Sequence, residues 1–237
     1  PARYPSSRSD ESSSIPPTLL LVSFNCRSIY GRELSIVRFM LDAGVAFLAV
    51  QEAMLNMNNL PVGLFKSSFY RAHPDGKWGL CLIVHPAWAS RAKEPPAEGV
   101  GAHLTKTNPN ILWILVQTNE RLLFIANIYI PNSTNSPSNK QAALLVINDL
   151  LADVTGLPDD AAVIILGDMN VDPFANKGSN RNLFPTLLAC PRLHLIARPD
   201  ASRHTRPATE SHIDNILCSE HARRLVSSEL RYFDFQD

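Results

Sequence analysis

The stretch Ile164–Pro173, IILGDMNVDP, runs an apolar segment directly into Gly-Asp-Met-Asn and a proline-broken loop. Short, β-branched and bounded by turn residues, the apolar part reads as a fully buried strand. A carboxylate and a carboxamide then follow two residues apart, a pair suited to hold a water: Asp168 to orient and deprotonate it, Asn170 to hydrogen-bond it. Residues i and i+2 of a strand point to the same side, so the pleat predicts that Asp168 and Asn170 converge. Asp and Asn after Gly are also ordinary turn formers, and the tetrapeptide is equally open to that reading.

Four further polar groups stand where apolar runs stop. Asn25 follows Leu19–Phe24, Gln51-Glu52 follows Val45–Val50, and Tyr129 with Asn132 closes Arg121–Ile130. Asp214 lies inside the apolar SHIDNILCS. Each has a bland account, as a helix-start charge, a turn residue or a core tyrosine whose hydroxyl finds a partner. Asp214 is harder to dismiss, because an ionised carboxylate among apolar residues must be paired, hydrogen-bonded or metal-bound. Five such events, all at strand ends, favour one shared site. In it Glu52 would be a hard oxygen ligand for Mg²⁺ or Mn²⁺, and Tyr129 a hydrogen-bond donor.

The elements that must position these groups follow from periodicity. Glu33–Ala43 has helical spacing and stops at Gly44 as at a C-cap. Trp78–His85, Ile111–Thr118 and His212–Cys218 read as strands, Asn139–Val154 as a long helix, Leu183–Ala189 as a shorter one, and Arg223-Arg224 as the solvated face of a late helix. Strands alternating with helices and with other strands suggest an α/β sandwich with mixed sheets. No linker or repeat divides the 237 residues, so residues 18–237 are expected to form one domain behind a Ser-, Pro- and Arg-rich leader, 1–17. A net charge of zero argues against an all-round basic shell but leaves room for a local basic stripe. Cys26, Cys81, Cys190 and Cys218 are scattered without a CxxC pair, as reduced core cysteines are. No apolar run approaches the length of a membrane span.

The ordered series N…QE…NIYIPN…GDMN…SHIDNIL resembles the endonuclease/exonuclease/phosphatase superfamily from Leu19 to the C-terminus. Within it SFNCRS, the compact length, and SRHT followed by SHID resemble the endonuclease domain of non-LTR (LINE-type) retrotransposons. The resemblance implies a four-layered α/β sandwich, two mixed, mainly antiparallel sheets flanked by helices, with the site at one end of the packed sheets. It also implies a Mg²⁺-dependent phosphodiesterase (Mn²⁺ as a substitute) that nicks double-stranded DNA to leave 3′-hydroxyl and 5′-phosphate ends. A reverse transcriptase in the same polyprotein and an intracellular, nuclear location go with it.

Position by position, Asn25, Glu52, Tyr129, Asp168, Asn170 and Asp214 match the family's functional residues, with Glu52 the metal ligand. Asn132, Thr205 and Ser211 match positions that touch phosphate or support the site. Asp237 stands where the family places an Asp that orients a His, which would be the next residue. Arg27 occupies the place where some members carry a second acidic ligand; a guanidinium there would meet phosphate instead, which favours one metal ion. Arg203, with Arg198, His204 and Arg206 around Thr205, and Lys177, Arg181 and Asn182 after GDMN, are the basic and polar groups that could grip DNA. The alternatives are an abasic-site repair endonuclease or phosphatase of the same superfamily and, from another class, a catalytically silent nucleic-acid-binding module.

Overall fold

The computed structural model describes residues 19–55, 64–74, 78–173, 176–196 and 214–224, with the side chain of Asp214 outside that description. Predicted site residues Arg203, Thr205, Ser211 and Asp237 also lie outside it.

One sheet contains β1 (Leu21–Asn25), β2 (Phe47–Gln51), β3 (Phe69–Ala72) and β4 (Gly79–Val84), in the order β1-β2-β4-β3. The other contains β5 (Ala92–Lys93), β6 (Ile111–Gln117), β7 (Leu122–Tyr129), β8 (Ala162–Asp168), β11 (His194–Leu195) and β12 (Asp214–Cys218), in the order β11-β12-β8-β7-β6-β5. A two-stranded ribbon, β9 (Val171–Asp172) with β10 (Lys177–Gly178), extends from the end of β8. Only β1–β2 and β7–β8 pair in parallel among the described strands; the other pairs are antiparallel.

Three apolar clusters define the layers. One packs α1 (Glu33–Ala43), through Ile36 and Met40, onto Leu48, Val50, Cys81 and Ile83 of the first sheet. A second lies between the sheets, where Phe47, Ala49, Leu80 and Leu82 meet Leu112, Ile114, Ile125, Ile164 and Leu166. The third packs α2 (Pro137–Gly156), through Ala143, Val146, Ile147, Leu150 and Val154, and α3 (Phe184–Leu188) onto Trp113, Phe124, Ile128, Val163 and Ile165. Helix, sheet, sheet, helix is the expected four-layered sandwich, with the site-bearing strand ends in its inner layer.

The local sequence explains the boundaries. Helix α1 ends at Gly44, left-handed at φ 66° with its N–H returned to the Met40 carbonyl. Helix α2 starts two residues before its apolar periodicity, because Ser136 caps it by accepting the Asn139 N–H and Pro137 sits in the first turn. The short helix α4 (Glu220–Arg223) is capped likewise by Ser219, and Arg223 and Arg224 are exposed beside it.

Candidate active site

Strand alternation builds the inner layer row by row. On β7, Leu123 and Ile125 face the other sheet, whereas Phe124, Ala126 and Ile128 face α2. The same parity holds for Ala162, Ile164 and Leu166 of β8, for Phe47 and Ala49 of β2, and for Leu82 and Leu80 of β4. Continued by two residues, these rows reach Asn127 then Tyr129, Asp168, Gln51 and Trp78. The inner layer therefore turns from apolar to polar toward one end.

Asp168 is the centre of that end. It is 2% exposed, and both carboxylate oxygens accept hydrogen bonds. Asn25 Nδ2 donates to Oδ2 across the sheet–sheet gap at 2.9 Å, and the Asn170 backbone N–H donates to Oδ1 at 2.8 Å. In the parallel ladder Tyr129 pairs with Asp168, and in the antiparallel one Asp214 pairs with Asp168. The backbone thus brings Asp214 directly opposite, from a strand entered at the other end.

Asn170 reaches the site differently from the pleat argument. β8 stops at Asp168, and Asn170 lies beyond it in the left-handed region at φ 50°. The meeting is made by a turn in which Asp168 binds the Asn170 N–H, while Asn170 Nδ2 donates to the Ile130 carbonyl at 3.0 Å. Turn and site are one feature here. The glycine of GDMN is a spatial requirement: a Cβ on Gly167, at φ 150°, would lie 2.0 Å from the Ile128 carbonyl oxygen.

Glu52 is also turned in. As the residue after Gln51, a continued strand would send it toward α1, but its φ of 50° breaks the alternation and its carboxylate acts electrostatically on the Tyr129 phenol. Arg27 shares this backbone conformation at φ 53°. Arg27, Glu52 and Asn170 are three of the five non-glycine residues with positive φ among the described residues, and such strain concentrates at working sites. Burial pushes the Tyr129 phenol well above its usual range, and the Glu52 and Asp168 carboxylates add to the shift. The phenol therefore stays protonated, as a donor must. Its ring stacks on Trp78, with centroids 5.8 Å apart at 17°.

The structure thus joins Asn25, Glu52, Tyr129, Asp168 and Asn170, with Asp214 paired to Asp168 through the backbone. Arg27 is exposed at their rim, its N–H 3.4 Å from Asn25 Oδ1. Asn132 sits just beyond Tyr129, but its side-chain oxygen is engaged in a turn with Thr134. Lys177, Arg181 and Asn182 are exposed on the ribbon and after it.

Sequence reasoning missed Trp78, Asn127 and Asn180, and took Gln51 only as part of a polar strand end. Asn180, 1% exposed, ties the loop after β7 to the loop after β8: its Nδ2 donates to Pro131 and Met169 carbonyls, and its Oδ1 accepts the Ser133 N–H. The signal for Asn127 was present, since a lone amide inside LLFIANIYI invites the argument applied to Asp214.

The sequence profile of the endonuclease/exonuclease/phosphatase family matches residues 22–236. No curated protein sequence matches significantly. Among solved structures, the endonuclease domain of TRAS1, a telomere-specific non-LTR retrotransposon, superposes with a TM-score of 0.59 at 17% identity, covering 85% of this chain and 84% of that one. An AP endonuclease from Archaeoglobus fulgidus gives 0.57 at 16%, covering 85% and 87%. A 3′ phosphatase from Neisseria bound to a product DNA hairpin gives 0.55 at 15%, covering 84% and 86%. At these identities the likeness is one of fold.

Proposed function

The chain belongs to the endonuclease/exonuclease/phosphatase family, and from that premise we propose that it nicks double-stranded DNA, as the target-site endonuclease of a non-LTR retrotransposon. The observation that carries the reading is the buried Asp168 carboxylate, held by Asn25 from the opposite sheet and by the turn at Asn170, with the Tyr129–Glu52 pair alongside. The retrotransposon assignment is supported by SFNCRS and by the fold likeness to TRAS1.

In this reading Asp168 orients a water and takes its proton as the oxygen attacks phosphorus. The P–O3′ bond breaks, the 3′ oxygen regains a proton, and the phosphate stays on the 5′ end. Asn170 and Asn25 keep the Asp168 carboxylate in one orientation, and protonated Tyr129 supplies a hydrogen bond to a non-bridging oxygen as charge builds there. Arg27, exposed at the rim, suits the phosphate backbone.

The donor set fits a magnesium ion. No group of three His, Cys, Asp or Glu gathers among the described residues, and magnesium needs no such cage: it takes one or two carboxylates and fills its shell with water and substrate phosphate. Glu52, half-buried at the rim, would hold it. Once bound, such an ion polarises the phosphoryl group and offsets charge on the departing oxygen.

The test is supercoiled plasmid incubated with the protein and Mg²⁺, with and without chelator. Metal-dependent conversion to the nicked circle with ligatable ends supports the proposal. The half-buried Trp78 ring beside Tyr129 favours a second reading, because an aromatic there could pack against a base-free sugar. Cleavage confined to abasic oligonucleotides would establish that reading instead, and no cleavage of any DNA would leave a silent binding module.

A further inference from the structure

Directly behind the site, one polar side chain joins the two sheets. Asn127 is fully buried on β7, on the face that packs against the first sheet. Its Nδ2 donates to the Val50 carbonyl of β2 at 3.0 Å and to the Cys81 carbonyl of β4 at 2.9 Å. Its Oδ1 accepts from Gln51 Nε2 at 2.6 Å. Gln51, equally buried, also donates to the Ala49 carbonyl, and its Oε1 lies 3.4 Å from Ser23 Oγ of β1. Both amide hydrogens and the oxygen of Asn127 are thus used across the gap. Its ladder partners Leu112 and Leu166, and Ile125 two residues before it on the same face, are apolar and pack without direction.

The two ends of this clasp are each next to a working residue. Tyr129 follows Asn127 by two positions on the same strand face, and Glu52 follows Gln51 directly. Tyr129 on β7 and Glu52 at the end of β2 face the same gap one row farther out, the carboxylate acting on the phenol. We infer that Asn127, through Gln51, is a positioning residue that sets the register of β7 against β2 and so holds the Tyr129 hydroxyl on the Glu52 carboxylate. A buried amide that satisfies three directional bonds has one arrangement, whereas an apolar side chain of similar size tolerates several. The inference rests on the proposed role of Tyr129 and Glu52, but its test separates the two.

The test compares the wild type, Asn127→Ser, Tyr129→Phe and the double variant. In plasmid nicking, Asn127→Ser is expected to lower kcat by about tenfold with KM unchanged. In the Tyr129→Phe background the same change should cost no more than about twofold, because the group it positions is gone. An equal loss in both backgrounds would mean that Asn127 supports the fold only, and would overturn the inference. Thermal unfolding of the same four proteins needs no turnover. Tyr129→Phe should lower Tm by about 2–4 °C in the wild type and by less than about half that beside Asn127→Ser. Equal drops would again overturn it. Should Asn127→Ser not fold, Gln51→Met, which keeps the two amide-to-carbonyl bonds, carries the same comparison. A wild type that cuts no DNA would refute the reading of the site, while the melting comparison would still decide the clasp.

Discussion

Replacing Asp168 by asparagine changes one oxygen to an amide nitrogen and leaves the volume nearly unchanged. The wild-type carboxylate accepts from Asn25 Nδ2 on one oxygen and from the Asn170 N–H on the other. An asparagine has a single acceptor oxygen, so one of those donors would face an NH₂ group. Losing a hydrogen bond to a charged group costs about 1.5–3 kcal/mol, which corresponds to a Tm lowered by roughly 3–12 °C in a chain of this size. A domain stable by about 5–15 kcal/mol remains folded at 25 °C after that loss. Removing a general base lowers turnover by about 10²–10⁴-fold, or roughly 2.7–5.4 kcal/mol of barrier. The two effects are therefore separable. Alanine would be a poorer probe, because it strips both acceptors from buried donors at once. The assay is initial-rate plasmid nicking with Mg²⁺ beside urea unfolding of the same preparations. An Asp168→Asn protein that is folded and keeps more than about a tenth of wild-type kcat would refute the assignment of Asp168 as the base.

Trp78→Leu removes the ring stacked on Tyr129, an interaction of about 0.5–1.5 kcal/mol, and should lower kcat by about 2- to 12-fold, with Trp78→Phe retaining most activity. Far from the site, Trp113 Nε1 donates to Asp153 Oδ2 at 2.7 Å within the core, so Trp113→Phe should cost about 1–3 kcal/mol in urea unfolding with little change in kcat. Burial holds the Asp153 carboxyl above its ordinary 3.8. Because the protonated form is the favoured one, its contribution is complete below that value and is lost as pH rises through the folded-state pKa. The stability of wild type relative to Asp153→Asn should accordingly fall as pH rises above about 4, and a difference that grows with pH would contradict the burial argument. All four cysteines are free and buried, and burial pushes the Cys26 thiol up to about 11. A thiol reagent at neutral pH should label the native protein slowly and all four sites once urea is added.

Local chemistry made several features readable in advance. Helix α1 begins and ends where its spacing and Gly44 place it. The apolar runs before Asn25, Gln51 and Asp168 are strands because short β-branched segments between turn residues have little else to become, although several bounds shift by one or two residues. β3 escaped notice: FYRA is half-exposed throughout and carries no clean alternation. The two-residue strands β5, β9, β10 and β11 exist only as partners of other chain segments, so nothing local specifies them.

For the site, residue types were legible and juxtaposition was not. Any strand's alternation states which side chains share a face, and that much is written along the chain. Which face meets which, and at what register, is decided by how two sheets bury their apolar sides together. Only that packing puts Asn25 against Asp168 across 143 positions of sequence, and Asn127 against Gln51 across 76. Glu52 and Asn170 needed more still. Both depart from the pleat into the left-handed region, an unfavourable backbone state that local preference does not select for Glu and that the surrounding contacts must impose.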